Sequence, residues 1–272
     1  MIREPAVAGR FYPSDPAELG RDLRICLAPP SPAAPAAPLR ALGCILPHAG
    51  YMYSGAVAGS VLSRLELPRR FIILGPRHYP QGAPLAILSE GAWRTPLGDV
   101  PLDAPLAAEL ARACPLLRED AVAHATEHSI EVELPFLQRL VPAFQFVPIA
   151  LGTDRFQAFD DLGRAIATVV AAQPGPVLVI ASSDMNHYES DEITRKKDAR
   201  AIDRILALDP RGLYDVVRRE SISMCGYGPA TTMLVAAKQL GATRAELVRY
   251  ATSADVSGDT SWCVGYAGIA VS

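Results

Sequence analysis

The sequence lacks the short motifs that assign common chemistries directly. It contains no HExxH, Walker A or GxSxG pattern. Its five cysteines include no CxxC pair, which argues against a zinc finger and against a disulfide framework and is typical of a reducing cytoplasm. Any catalytic or metal site must therefore be assembled from residues that are distant in the chain.

Long apolar runs and an excess of charge are also missing. No stretch reaches the 18 or so apolar residues of a membrane span, and the first residues lack the apolar core of a signal peptide. A net charge of −3 provides no basic surface for nucleic acid. We therefore expect a cytoplasmic protein that binds neither membrane nor nucleic acid.

Short apolar runs alternate with amphipathic segments, which predicts an α/β fold. We expect residues 1–272 to form one three-layer domain, a central mostly parallel sheet with helices on both faces. The last two strands are expected at an edge, where antiparallel pairing is open. A Pro/Ala stretch, 28–39, is predicted as an extended connector. The predicted strands are 41–47, 70–75, 144–150, 176–181, 245–253 and 264–271, and the predicted helices are 17–27, 56–66, 102–113, 131–141, 160–172, 197–208 and 229–240.

Three histidines each follow a predicted strand: His48, His78 and His187. Ligand sites in parallel sheets form beyond the carboxyl ends of the strands, so these imidazoles are expected to converge. We expect His48 and His78 to follow adjacent strands. Imidazole is the commonest metal ligand and the usual acid–base group near neutral pH, so the pattern predicts a metal or acid–base site.

Two further segments carry polar or reactive groups. Asp184 and His187 lie three apart, which in a helical turn would place a carboxylate beside an imidazole. The alternative is that Ser182, Ser183 and Asp184 cap the next helix. Cys225 precedes a predicted helix, whose dipole would lower the thiol pKa, although a cysteine is more often a small buried apolar residue.

A polar stretch before the 131–141 helix adds one more candidate. His128 could reach the same crevice, whereas His124 is expected to have no role in the site. Glu131 and Glu133 are predicted to be solvated or to face the helix dipole in its first turn.

The candidate ligands allow two kinds of metal site. His48 and His78 with the carboxylate of Asp184 would suit non-haem Fe(II). The same histidines with the Cys225 thiolate would favour copper or zinc.

Six short motifs follow one another along nearly the whole chain. They are Pro47-His48-Ala49-Gly50-Tyr51, Leu74-Gly75-Pro76-x-His78, Trp93-Arg94-Thr95-Pro96-Leu97-Gly98, Glu127-His128-Ser129-Ile130-Glu131, Ser182-Ser183-Asp184-x-x-His187 and Cys225-Gly226. In the order and content of these motifs the chain resembles the Memo family. That family is similar in fold to class III extradiol dioxygenases, non-haem iron enzymes that cleave catechol rings.

The resemblance implies site positions for six residues. His48 and His78 match the two metal-binding histidines. Cys225 matches the third metal-binding position, which is a glutamate in the dioxygenases. His187, with Asp184 beside it, matches the dioxygenase acid–base histidine. A further site histidine is expected where His128 stands.

The resemblance also implies partners. Bacterial and archaeal members are gene neighbours of a radical-SAM protein and an AMMECR1-type protein, and an animal relative is described as a receptor-linked motility mediator that binds phosphopeptide and metal. The animal form has arginine and histidine where this chain has Tyr227 and Gly228, and a cysteine where it has Asn186.

Three functions follow as hypotheses. The first is a metal-dependent, dioxygenase-like oxidoreductase, with Fe(II), copper or zinc on His48, His78 and Cys225 and with His187 moving protons. The second is a non-catalytic protein whose crevice binds a peptide, a small molecule or the radical-SAM partner. The third is a hydrolase in which zinc activates water. Aromatic walls for the second are available from Tyr51, Tyr53, Tyr79 and Tyr188.

Overall fold

The computed structural model describes residues 1–28 and 38–272. Most of the predicted Pro/Ala connector, residues 29–37, lies outside the described residues. Among the described helices, none has both the length and the apolar character that crossing a membrane requires.

The described strands cover all six predicted from the apolar runs and add several short ones. They are β1 (Ile2–Arg3), β2 (Gly43–Leu46), β3 (Arg70–Pro76), β4 (Leu85–Ile87), β5 (Ala92–Thr95), β6 (Gly98–Pro101), β7 (Arg118–Glu119), β8 (Gln145–Leu151), β9 (Leu178–Ser182), β10 (His187–Glu189), β11 (Ala245–Thr252) and β12 (Cys263–Val271).

The described helices likewise include every predicted helix and some that were missed. A π-helical turn, Tyr51–Gly55, precedes the second helix and a 3₁₀ turn, Glu131–Glu133, precedes the fifth. The helices are α1 (Pro16–Cys26), α2 (Ala56–Arg64), α3 (Ala104–Ala113), α4 (Val122–Ala125), α5 (Leu134–Leu140), α6 (Phe156–Ala171), α7 (Asp191–Leu206), α8 (Pro210–Arg219), α9 (Tyr227–Gln239) and α10 (Ala254–Ser257).

Most strands join one nine-stranded sheet whose centre is parallel. The order is β10-β12-β2-β9-β3-β8-β4-β7, and β11 pairs with β12. β2, β9, β3 and β8 run parallel, whereas β12 lies antiparallel to β2 and β4 antiparallel to β8. The parallel centre matters for function because it brings the carboxyl ends of β2, β9 and β3 to the same edge.

Alternating side chains of the strands produce the three layers, because successive residues point to opposite faces. In β3, Ile72 and Leu74 pack in the core formed with α3, α6, α7, α8 and α9. Phe71 and Ile73 pack in the second core, formed with α1, α2 and α5. The predicted three-layer α/β architecture is thereby confirmed.

Some local predictions are confirmed and others differ from the structure. The last two strands do add antiparallel at one side of the parallel centre, as expected, with β12 next to β2 and β11 next to β12. The expected helix at 131–141 begins as a 3₁₀ turn, and α8 was not predicted. Asp103 caps α3, since its carboxylate accepts from the backbone N–H of Leu106.

Candidate metal centre

The candidate site lies beyond the carboxyl ends of β2, β9 and β3. His48 follows β2 and His78 follows β3, but the two strands are not adjacent as predicted, because β9 pairs with both. The segment after β9 carries Asp184 and His187. These residues border a cavity of about 520 Å³.

Three imidazoles meet in this cavity: His48, His78 and His128. We call them the three-histidine cluster. One ring nitrogen from each lies within 4.8 Å of the others, and the ring centroids are 4.6–5.6 Å apart. His128 comes from the loop after α4 rather than from a strand end, so the polar 124–131 loop completes the cluster.

Glu127 orients His78 through two hydrogen bonds. The His78 Nδ1–H donates to Glu127 Oε1 at 2.9 Å, and the His78 backbone N–H donates to Oε2 at 2.6 Å. Burial opposes charge on both groups, but this hydrogen bond raises the pKa of His78 and holds the pKa of Glu127 well below its usual range. A carboxylate only accepts, so in the neutral ring the proton is on Nδ1 and Nε2 is left free.

His48 is buried and held from behind. Its Nδ1 lies 2.7 Å from Ser182 Oγ, and its backbone N–H donates to Asp184 Oδ1 at 2.8 Å. Burial, followed by the neighbouring His78 and His128, lowers its pKa well below the usual value. The ring is therefore neutral at pH 7, the form that binds metals.

His128 is also held neutral. Burial lowers its pKa to about 4, and its ring packs edge-on against Phe11 at 4.8 Å between centroids. Its buried Nδ1 makes no hydrogen bond, and Glu127 Oε1 lies 3.5 Å away. The periodic pattern of the sequence does not mark this residue, and its place in the site was expected from its position before the 131–141 helix and from the family motif Glu127-His128-Ser129-Ile130-Glu131.

The cluster fits a metal ion on grounds of hydrogen bonding. In two of the rings Nδ1 already has a partner, which is Glu127 for His78 and Ser182 for His48. In the third ring, that of His128, the buried Nδ1 has none. One ring nitrogen of each histidine lies within 4.8 Å of the others, and a metal ion between such nitrogens would accept their lone pairs. Nitrogen donors of this type suit iron, copper and zinc rather than magnesium or calcium.

Cys225 lies beside the cluster. Its Sγ is 3.4 Å from His48 Nε2 and accepts from the backbone N–H of Asp184 at 3.3 Å. The predicted fall in its pKa is wrong for the protein without metal: burial, followed by the charge of Asp184, raises the thiol pKa.

His187 is held by Ser223 and not by Asp184. Its Nδ1–H donates to the Ser223 carbonyl at 2.9 Å, and its backbone N–H donates to Ser223 Oγ at 2.7 Å. No helical turn joins Asp184 and His187, because the chain enters β10 at His187. The residue that caps α7 is Ser190, and not Ser182, Ser183 or Asp184. Both earlier interpretations of this turn are therefore wrong.

A buried network behind His187 fixes this segment. Asn186 Oδ1 accepts from the Ser223 backbone N–H at 3.1 Å, and the Asn186 backbone N–H donates to Asp198 Oδ1 at 2.8 Å. Tyr250 donates its hydroxyl to Asp198 Oδ2 at 2.7 Å. Burial raises the pKa of Asp198 to about 7. The stability of the protein should therefore depend on pH through this carboxyl.

We expect wild type to lose stability relative to Asp198→Asn as the pH rises from about 4 to 7. The unfolded aspartate ionises near pH 4, whereas the folded one resists ionisation until about pH 7, so the folded state binds the extra proton. At about 1.4 kcal/mol per pKa unit, the loss is up to about 4 kcal/mol. Urea unfolding of both proteins between pH 4 and 8 measures it, and parallel curves would contradict the prediction.

The fold and the site define a class: an α/β protein with an imidazole cluster at the carboxyl edge of a parallel sheet, suited to a transition metal. The family model described as Memo, Memo-like protein, matches residues 3–270. A MEMO1 family protein of Methanopyrus kandleri, MK0963, is 45% identical over 99% of this chain and 98% of its own. One of Methanothermobacter thermautotrophicus, MTH_45, is 42% identical over 98% and 99%. The chain belongs to the Memo family, as its motifs predicted.

A solved structure has a similar fold. The uncharacterized protein JW3007 of Escherichia coli K12 matches with a TM-score of 0.50 over 83% of this chain and 99% of its own. The two sequences are 14% identical, so the likeness concerns the fold alone.

Proposed function

We propose that this protein is a metal-dependent oxidoreductase whose ion is held at the three-histidine cluster, with iron(II) preferred over copper or zinc. The observation that carries the proposal is the convergence of three ring nitrogens within 4.8 Å in a cavity of about 520 Å³. In non-haem Fe(II) oxygenases two imidazoles and one carboxylate hold the ion and leave coordination positions open, and here a third imidazole or the Cys225 thiolate would take the place of the carboxylate.

His48 and His78 are the proposed ligands common to every version of the site. Either Cys225 or His128 supplies the third position. Cys225 is the position that the family resemblance implies, and its Sγ lies 3.4 Å from His48 Nε2. His128 is the one whose nitrogen groups with the other two histidines.

The chain's own residues have two tasks around the ion in this proposal. Glu127 and Ser182 orient His78 and His48. Phe11 and Tyr266 line the cavity and exclude water on the apolar side. A bound iron ion supplies one-electron redox chemistry at the centre.

His187 is the proposed acid–base residue. It lines the cavity, and donation of its Nδ1–H to the Ser223 carbonyl leaves Nε2 free to take a proton from a substrate group. Asp184, which contacts the His48 backbone rather than His187, lines the same cavity, and burial raises its pKa.

A zinc-dependent hydrolase is the second candidate, and the three-histidine donor set favours it. Three histidines that leave a fourth position for water are the ligand set of one class of catalytic zinc site. His187 would then act as the base.

The proposal also includes a ligand and partners. The cavity would bind a small molecule or a peptide, and the protein would work with a radical-SAM or AMMECR1-type partner.

Anaerobic reconstitution tests the two candidates together. Metal-free protein is loaded with Fe(II), Cu(I) or Zn(II), and oxygen uptake is followed over a panel of catechols and small metabolites. We expect stoichiometric Fe(II) binding and substrate-dependent oxygen uptake that His187→Gln abolishes. Ester or amide hydrolysis by the zinc form alone would favour the hydrolase, and no metal binding above background would favour a partner-binding protein.

A further inference from the structure

The hydrogen bonds behind His48 continue to a buried glutamate. Ser182 Oγ lies 2.7 Å from His48 Nδ1, 2.6 Å from the Ser129 carbonyl oxygen and 3.2 Å from Glu133 Oε1. The side chains of His48, Ser182 and Glu133 are at most 1% exposed. Glu133 was predicted to be solvated, and its burial is therefore a correction that gives it a place directly behind the cluster.

Counting hydrogens assigns the direction of each bond. Ser182 has one hydroxyl hydrogen, and the Ser129 carbonyl, the nearest of the three contacts, can only accept. The hydroxyl hydrogen therefore goes to Ser129. The contacts of Ser182 with His48 Nδ1 and with Glu133 Oε1 are then hydrogen bonds only if those two groups donate.

The surroundings of Glu133 agree with a carboxyl that donates. Its Oε2 is buried and has no hydrogen-bond partner, which would be costly for an ionised carboxylate. Burial, followed by the charge of Asp184, raises its pKa well above the usual value, with only the Ser182 contact opposing. Glu127, which bonds His78 directly, has the opposite character because its pKa is lowered.

We propose that Glu133 is a positioning residue for His48. Its neutral carboxyl donates a hydrogen bond to Ser182, and Ser182 in turn fixes the His48 ring and keeps the ring proton on Nδ1. His48 Nε2 then presents its lone pair to the three-histidine cluster. The proposal deepens the proposed function and rests on it only for the metal; the tautomer of His48 exists with or without an ion. His78 and His48 consequently differ in what their Nδ1 atoms contact. His78 bonds the carboxylate of Glu127, whereas His48 bonds the neutral Ser182.

The first test measures the tautomer in metal-free protein. Protein labelled with ¹⁵N in histidine distinguishes Nδ1–H from Nε2–H in two-bond ¹H–¹⁵N spectra, and His48→Gln assigns the signal. We expect His48 to be the Nδ1–H tautomer in wild type and a mixture in Ser182→Ala, which removes the acceptor. An Nε2–H tautomer in wild type, or an unchanged tautomer in Ser182→Ala, would overturn the proposal.

The second test separates a donor from a charge at position 133. The side-chain amide introduced by Glu133→Gln can donate an N–H to Ser182 as a protonated carboxyl does, whereas Glu133→Leu keeps the volume and removes the donor. We expect Fe(II) affinity to fall about 10–100-fold in Ser182→Ala, less in Glu133→Leu, and not in Glu133→Gln. A loss in Glu133→Gln equal to that in Glu133→Leu would mean that the carboxylate charge acts, and the proposal would be wrong.

A matched control and a spectroscopic readout complete the experiment. Ser60→Ala removes a hydroxyl that donates to the Ala56 carbonyl in α2 at 2.7 Å and accepts from Arg249 at 3.3 Å. This substitution should leave the His48 tautomer and the Fe(II) affinity unchanged. The infrared difference between wild type and Glu133→Gln should contain the C=O stretch of a protonated carboxyl. If wild type binds no metal while the tautomer responds to Ser182→Ala, the proposed function fails and the positioning role stands.

Discussion

Replacing His48 with alanine is expected to abolish tight metal binding. The residue is 1% exposed and supplies a ring nitrogen that lies near those of His78 and His128. Changes behind a ligand already cost about 10–100-fold in affinity, so loss of the ligand itself should cost more. Metal content after purification and competition titration with a chelator measure the effect, and His78→Ala should behave in the same way.

His187→Gln is the matched control for that prediction. His187 borders the same cavity but is absent from the group of converging ring nitrogens. It should therefore keep the metal and lose turnover. Equal metal content in His48→Ala and wild type would refute the site, whereas loss of metal in His187→Gln would place His187 among the ligands.

The same titration identifies the third ligand. If Cys225 coordinates the ion, Cys225→Ser should reduce affinity more than His128→Ala, and a sulfur-to-metal charge-transfer band should disappear from the copper-loaded protein. If His128 coordinates, the order is reversed. The contact of Cys225 with His48 and the grouping of His128 with both histidines make each outcome interpretable.

The strand-end histidines could be predicted because the apolar runs before them are periodic and continuous. A run such as the one leading to His48 predicts a buried parallel strand, and the topology of such sheets then brings strand ends together. The order of strands could not be predicted in the same way. β9 lies between β2 and β3 through contacts that no local pattern contains.

The buried acidic residues near the histidines were missed for a different reason. Glu127, Glu131 and Glu133 fall in a polar stretch that is typical of a solvated helix start, yet each is at most 1% exposed. Burial of these carboxylates depends on partners far away in the chain, such as Ser182 for Glu133. Distant pairing of this kind has no periodicity and leaves no signal in a single sequence.

Replacing Arg3 is expected to lower the stability of the protein far more than replacing the exposed Arg94. Its guanidinium is 6% exposed and forms an ion pair with Glu131, which is fully buried. It also donates to the His124 carbonyl at 3.0 Å and to the Glu127 carbonyl, and it lies over the Trp93 ring at 4.3 Å. Arg3→Met should destabilise the protein by about 3–5 kcal/mol, because it leaves Glu131 charged and buried without its cation.

Arg94→Met is the control, since the exposed ion pairs of Arg94 with Glu4 and Asp99 should contribute little. Urea unfolding compares the two variants, and similar midpoints would contradict the prediction. A double variant, Arg3→Met with Glu131→Gln, should recover part of the loss because the uncompensated charge is gone. Since Arg3 bonds the backbone of the loop that carries Glu127 and His128, Arg3→Met should also weaken metal binding, and the double variant should not restore it. Stability and metal affinity would then separate, which distinguishes the buried charge pair from the anchoring of the loop.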